Sequence, residues 1–279
     1  MMKIEVAGIV IKLDIPDRFL REDIYKFRCN ESSDAEVVIE AGFEPFPFFP
    51  EFAGKAPPVH HLYFSDGWKY YLFSNDDSVS FIKYDRAYAH FIINMKESEN
   101  GGAEFAEAVN SALRRVFLLL ISARGGVSLH SSTVGLHGEA ICFSAGSGRG
   151  KTTHTSLWRK HVPGVEILNG DKGYLFVRAG AAWFYSAPWC GTSGDLVNRK
   201  APLKAVIFLA PADKNRLRKL TVPEAFMHLL TGCFLPAWDK EIYLKALDII
   251  TELAEIIDCR HLECLPDEEA MRMALDGIY

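Results

Sequence analysis

The chain has no excess of positive charge. Its 31 Lys and Arg residues are outnumbered by 36 Asp and Glu, for a net charge of −5. With no basic tail either, that balance excludes a general nucleic-acid binder, which needs a cationic face against the phosphates. Long apolar runs are missing too. The stretch Val116–Ile121 is far too short for a membrane-spanning helix, so no membrane association is expected. The opening residues Met1-Met2-Lys3-Ile4-Glu5-Val6 carry an acid early and alternate like a strand, so they do not read as a secretory signal. Cysteine is sparse. Cys29, Cys142, Cys190, Cys233, Cys259 and Cys264 are scattered, so no disulfide framework is expected and the thiols read as reduced, in a cytoplasmic protein. Internal repeats and low-complexity tracts are absent as well. What is left is an ordinary globular composition, 49% apolar and 24% charged, in a length that allows one large domain or two modest ones.

The first hundred residues read as strand-rich. Ile4–Leu13 is β-branched and alternating, and Val37–Glu40, His61–Ser65, Trp68–Phe73, Val79–Tyr84 and Tyr88–Met95 follow as further strands. Turns at Ser65-Asp66-Gly67 and Asn75-Asp76-Asp77 predict an antiparallel meander from Tyr63 to Asp85. Phe43–Pro58 is an aromatic, proline-rich loop that reads first as a packed connector, with a recognition surface as the alternative. The polar stretch Glu97–Gly102 marks a boundary between a β-rich region over 1–100 and a second domain over 101–279.

The second region opens with a helix. Phe105, Val109, Ala112, Leu113, Val116, Phe117 and Leu120 recur at helical spacing, and Gly125-Gly126 ends it. Val127–Leu136 and Glu139–Ser144 read as strands, then comes Ala145-Gly146-Ser147-Gly148-Arg149-Gly150-Lys151-Thr152, then a Gly- and Pro-free stretch to His161. Strand, glycine-rich turn and helix start is the context that makes a phosphate-binding loop credible. Small residues let backbone N–H groups curl around a polyphosphate, and the helix N-terminus favours negative charge. Gly146, Ser147, Gly148, Arg149, Gly150, Lys151, Thr152 and Thr153 are therefore the candidate phosphate-binding residues. Lys151 supplies charge to the β/γ-phosphates, and the Thr152 hydroxyl can ligate Mg²⁺. Ala145 stands where the usual pattern begins with Gly, which matters only if the loop needs a positive φ there.

Two further segments are expected at the phosphates. Leu168-Asn169-Gly170-Asp171 puts an acid at the end of a strand soon after the loop helix, where phosphoryl transfer needs a carboxylate for the metal or for the acceptor's proton. A plain Asn-Gly-Asp turn is the alternative. Leu129-His130-Ser131-Ser132-Thr133-Val134 lies one strand before the loop. Later, Leu203–Ala210 is apolar enough for a central strand, Pro223–Thr231 and Asp239–Ile257 read as helices with Asp239 as N-cap, and Asp267 caps a terminal helix after the strand Cys259–Leu265.

This order of motifs resembles the catalytic domain of HPr kinase/phosphorylase, and His130-Ser131-Ser132, Gly150-Lys151-Thr152-Thr153 and Gly170-Asp171 also resemble motifs of ATP-dependent phosphoenolpyruvate carboxykinase. The closing Leu262-Glu263-Cys264-Leu265-Pro266-Asp267 looks like the end of HPr-kinase-related proteins, and the resemblance covers roughly 125–279. It implies an α/β fold, α+β overall, with a P-loop domain of that kind behind the β-rich region. It implies a kinase that moves the γ-phosphoryl group of ATP, with Mg²⁺, to a hydroxyl, the serine of a small protein or peptide being the leading acceptor. Related kinases assemble into homo-oligomers. By the same resemblance Asp171, His130 and Lys151 are the catalytic residues, and Thr152 and Asp171 organise the metal. The chain departs from the family where Gly170-Asp171-Lys172 replaces paired acids and where Thr153 replaces a Glu. A non-catalytic nucleotide-binding regulator and a small-molecule kinase are the alternatives.

Weaker signals complete the reading. Arg149 and Arg199 read first as solvated, with charge stabilisation at the phosphates as the alternative. Ser186–Gly194 is either a lid or an ordinary loop. Cys259, His261 and Cys264 alternate across a strand, which argues against zinc, and His60-His61 has no metal partner at useful spacing.

Overall fold

The computed structural model describes residues 2–30, 36–42, 44–47, 50–52, 58–73, 81–95 and 102–279. The turn expected at Asn75-Asp76-Asp77, residues 97–101 of the expected boundary and much of the 43–58 loop lie outside them. The chain forms a mixed α/β structure with two sheets and packs as two compact units. One is Met1–Ala123 with Pro236–Tyr243, the other Arg124–Leu235 with Leu244–Tyr279. That division falls elsewhere than the 1–100 and 101–279 read from the sequence.

The first unit begins with a hairpin of β1 (Met2–Val6) and β2 (Ile9–Asp14). The alternating stretch expected as one strand is two, because Ala7 and Gly8 both take positive φ, 55° and 80°, as a tight two-residue turn requires. The short helix α1 (Glu22–Tyr25) leads to β3 (Val37–Gly42), which lies parallel to β2. Then β4 (His61–Ser65), β5 (Trp68–Leu72), β6 (Phe81–Tyr84) and β7 (His90–Asn94) form the expected antiparallel meander. The seven strands lie in the order β1-β2-β3-β7-β6-β5-β4. The long helix α2 (Ala103–Ala123) belongs here because its stripe of Phe105, Val109, Leu113, Val116, Phe117 and Leu120 is buried in this unit, against β6 and β7 among others.

Pro236–Tyr243 joins this unit through a buried charge. Asp239 Oδ2 accepts from Lys69 Nζ at 2.9 Å and from the Tyr84 and Tyr88 hydroxyls at 3.0 Å each. Burial, followed by the Asp239 charge, pushes both phenols far above their ordinary range. Asp239 was expected as a helix N-cap, and its carbonyl does accept from Tyr243 N–H, but its Oδ2 answers Lys69.

The second unit runs in chain order through β8 (Gly126–Leu136), β9 (Glu139–Ser144), α3 (Lys151–His161), β10 (Glu166–Asn169), β11 (Lys172–Arg178), β12 (Ala181–Ser186), β13 (Lys200–Pro211), β14 (Arg216–Lys219), α4 (Val222–Gly232), β15 (Cys233–Phe234), α5 (Lys240–Ile256, its first residues in the first unit), β16 (Asp258–Cys264) and α6 (Glu268–Ile278). β9 lies parallel to β13, and β13 parallel to β16, while β8 pairs antiparallel with β9, β10, β11 and β15. Both faces are covered, which is why these strands read as apolar runs. Ala140 and Cys142 of β9 face a core with Val206 and Phe208 of β13, Leu229 of α4 and Ile250 of α5. Ile141 and Phe143 face the other, with Ile207, Trp158 of α3, Leu262 of β16 and Met271 of α6. Asp267 caps α6, accepting from Ala270 N–H at 2.9 Å. All six cysteines are free thiols. Among the described residues no helix is long and apolar enough to cross a membrane.

Candidate functional site

The loop between β9 and α3 holds its shape with two glycines in the left-handed region, Gly148 at φ 70° and Gly150 at φ 90°. Ala145 has no positive φ, so alanine replaces the usual glycine without backbone strain. Residues 146–150 are exposed, as are Thr152 and Thr153. No side chain caps α3 at Gly150, which leaves first-turn N–H groups for an anion. Lys151 is buried and bends back inside the loop, with Nζ donating to Ala145 O at 3.0 Å and Gly146 O at 3.3 Å. Burial lowers the affinity of this amine for its proton, and the negative charge of Asp171 opposes that effect. An ammonium held among loop carbonyls keeps its positive charge beside the exposed glycines.

Asp171 stands at the junction of β10 and β11. Its position is set by Asn169, which is completely buried at the end of β10. Asn169 Oδ1 accepts from the N–H groups of Asp171 and Lys172, both at 2.9 Å, and Nδ2 donates to Ala187 O at 2.9 Å and Trp189 O at 3.0 Å. Gly170 between them is closely packed, since a Cβ there would lie 1.8 Å from Ser193 Oγ, 3.0 Å from Ser193 Cβ and 3.1 Å from Cys190 O, and would force the Ser193 side chain to move. The Asp171 carbonyl accepts from Ser131 N–H at 3.0 Å, which ties it to β8 beside His130. His130 Nε2 lies 3.4 Å from Asp171 Oδ1, and Lys172 Nζ lies 3.9 Å from Oδ2. Burial works to raise the Asp171 carboxyl, but the His130 hydrogen bond and the charges of Lys172, His130 and Lys151 outweigh it and hold the group below its ordinary range. It is therefore an ionised carboxylate at neutral pH, fit to ligate a cation or accept a proton. Lys151 and Asp171 each feel the other's charge, so the loop and the acid share one electrostatic site.

Not every sequence-predicted residue lies here. Arg199 pairs with Glu166 at 3.2 Å and borders a cavity with Glu139, at the opposite end of β9 from the loop. Arg149 is exposed on the loop. Residues Ala187–Cys190, read as part of a lid, are buried and tied down by Asn169, leaving only Gly191, Thr192 and Gly194 exposed. Among the described residues no three His, Cys, Asp or Glu side chains are grouped to hold a metal by themselves, at Cys259–Cys264 or elsewhere.

Sequence reasoning missed three features. Asn169 was read only as part of a turn. Phe234 of β15 packs its ring 5.6 Å from that of His130, with Lys172 Nζ 4.5 Å from its centroid. The third is a cavity of about 350 Å³ beside the loop, reaching from Ala145 and Gly146 past Ser144 and Phe208 to His228 and His261. His261 had been weighed only for zinc.

No family model matches the chain, and no curated protein matches it. Among solved structures it is similar to the Hpr(Ser) kinase/phosphatase from Coxiella burnetii, at 10% identity and a TM-score of 0.31, with 54% of this chain and 97% of that chain covered. A likeness of that size is distant and carries no argument about activity, and the reading of the site rests on its own geometry.

Proposed function

We propose that the second unit transfers the γ-phosphoryl group of ATP to a hydroxyl. The observation that carries this reading is the meeting of a buried Lys151, an exposed glycine loop and the ionised Asp171 held by His130. The loop N–H groups and Lys151 bind the β- and γ-phosphates. Thr152 and Asp171 would hold Mg²⁺, which supplies charge neutralisation on the phosphates when bound. The acceptor oxygen bonds to the γ-phosphorus as the bond to the β–γ bridging oxygen breaks, its proton passes to the Asp171 carboxylate, and ADP leaves. His130 orients Asp171 and keeps it ionised. The sequence resemblance supports a serine of a small protein or peptide as acceptor. A small molecule is the second reading, favoured by the bounded cavity against Ala145 and Gly146.

Calorimetry with Mg²⁺ and ATP tests the first step. Lys151→Ala should weaken binding by about 100-fold or more. Asp171→Asn should keep binding yet slow transfer by about 100-fold or more. Undiminished binding by Lys151→Ala, or undiminished transfer by Asp171→Asn, would sink the proposal.

A further inference from the structure

The cavity lies on the other face of the sheet from the nucleotide loop's helix. α3 packs with Phe143 and Trp158 on one face, whereas the cavity lies under the end of α4, on the face of Cys142 and Phe208. The two carbonyls that hold Lys151 belong to Ala145 and Gly146, and both residues line the cavity. His130, the partner of Asp171, lines it too. A molecule there meets the loop at the carbonyls that hold the Lys151 ammonium. Ligand sites of α/β sheets form at the carboxyl ends of parallel strands, and Ser144 and Phe208 are at that end of β9 and β13.

We infer that this cavity is the acceptor site and that it takes a small uncharged hydroxyl compound of the polyol or sugar class, not a serine carried by a protein. The inference rests on the phosphotransfer reading above. A volume of about 350 Å³ is at the small end for ligand pockets. Among the described residues no Asp, Glu, Lys or Arg lines it, and the nearby Arg218 is paired with Glu224 at 3.0 Å. Burial, joined by the Arg218 charge, lowers the proton affinity of His228 and His261, so each imidazole offers one donor and one acceptor. The Thr231 hydroxyl donates to Met227 O at 3.0 Å and that of Ser144 to His130 O at 2.9 Å, which leaves their lone pairs to accept from a ligand. Among the described residues no charged side chain lines the site to pair with a carboxylate or ammonium, whereas hydroxyls find partners in the two imidazoles and the two hydroxyls. The rings of Phe208, His228 and His261, tilted by 32° and 40° with successive centroids 4.8 and 5.4 Å apart, form one aromatic side of the site.

The test gives the full-length protein Mg²⁺ and γ-labelled ATP with glycerol, D-ribose or myo-inositol, with the charged D-glycerate or L-serine, or with a serine-containing peptide. Label should pass to an uncharged compound at least about tenfold faster than to the charged ones or the peptide. Thr231→Trp, which fills the cavity from the end of α4, should cut that transfer about tenfold or more with MgATP affinity unchanged. If Thr231→Trp does not fold, His228→Asn should raise the acceptor KM with no change in MgATP affinity. Transfer only to the peptide or the charged compounds, transfer to none by a protein that binds MgATP, or transfer indifferent to the cavity variants would each overturn the inference. Absence of MgATP binding by the wild type would instead overturn the phosphotransfer reading itself.

Discussion

His154 sits one turn into the loop helix, buried against the Phe143 ring at 4.7 Å, and among the described residues its Nε2 has no hydrogen-bond partner. Burial holds its pKa down to about 4 against an ordinary 6.5. Between those values the unfolded chain binds more protons than the folded one, so stability rises with pH through that window. The contribution is fully present above 6.5 and is lost as pH falls toward 4, for a total of about 3 kcal/mol. Urea titrations at pH 7.5, 6 and 5 should show that slope, and His154→Leu should flatten it. A wild type equally stable at pH 7.5 and 5 would contradict this account. Gly170 shows how single residues are only half legible. Its place in a turn was readable, but the contact that crowds a side chain there comes from Ser193, far along the chain.

At the scale of elements, the site gathers residues from the middle of one strand and the ends of others. β8 brings His130, β9 feeds the loop, and the β10–β11 junction brings Asp171. Asn169 fixes that junction with four hydrogen bonds made from a fully buried side chain. Asn169→Ala would leave two carbonyls and two N–H groups without those partners, and should cost roughly 2–4 kcal/mol in urea unfolding. It should also slow phosphoryl transfer, with MgATP binding little changed. Unaltered stability would show that water or a rearranged loop replaces the amide. Nothing local distinguishes this asparagine from any other in an Asn-Gly turn, because two of its partners belong to the segment after β12. Periodicity marked most elements but not the short α1, β14 and β15, and Ala7-Gly8 breaks an alternating run whose apolar pattern continues through the turn.

For the whole molecule, chain order and packing order differ. Residues 236–243 pack in the first unit although the sequence on either side belongs to the second. Asp239 and Lys69 are nearly inaccessible, with side chains 2% and 7% exposed. Without Asp239 the buried Lys69 keeps, among the described residues, only the exposed Glu241 at 3.5 Å as an ion partner, and the Tyr84 and Tyr88 hydroxyls lose this acceptor, so Asp239→Ala should destabilise the protein by about 3–5 kcal/mol. The double variant Lys69→Met/Asp239→Leu should recover most of that loss, and denaturant midpoints will show whether it does. A cut at the boundary read from the sequence should fail too. A fragment of residues 101–279 carries α2 without β6 and β7, exposing Phe105, Val109, Leu113 and Phe117. It should bind a hydrophobic dye or aggregate where the full chain does not, and a monomeric, dye-silent fragment would refute this.

By itself the sequence determined what depends on neighbours along the chain. The spacing of apolar residues set most strands and helices, and the glycines with Lys151 and Thr152 marked a tight turn between a strand and a helix, because such a turn is shaped by its own backbone and needs no distant partner. Tertiary structure alone decided which unit α2 joins, that Arg199 ends at the far end of β9, that Asn169 locks Asp171, and that His130, Phe208, His228 and His261 border one cavity. Those outcomes depend on strand register and on which faces meet, and such approaches between segments far apart in the chain leave no periodic trace in the order of residues.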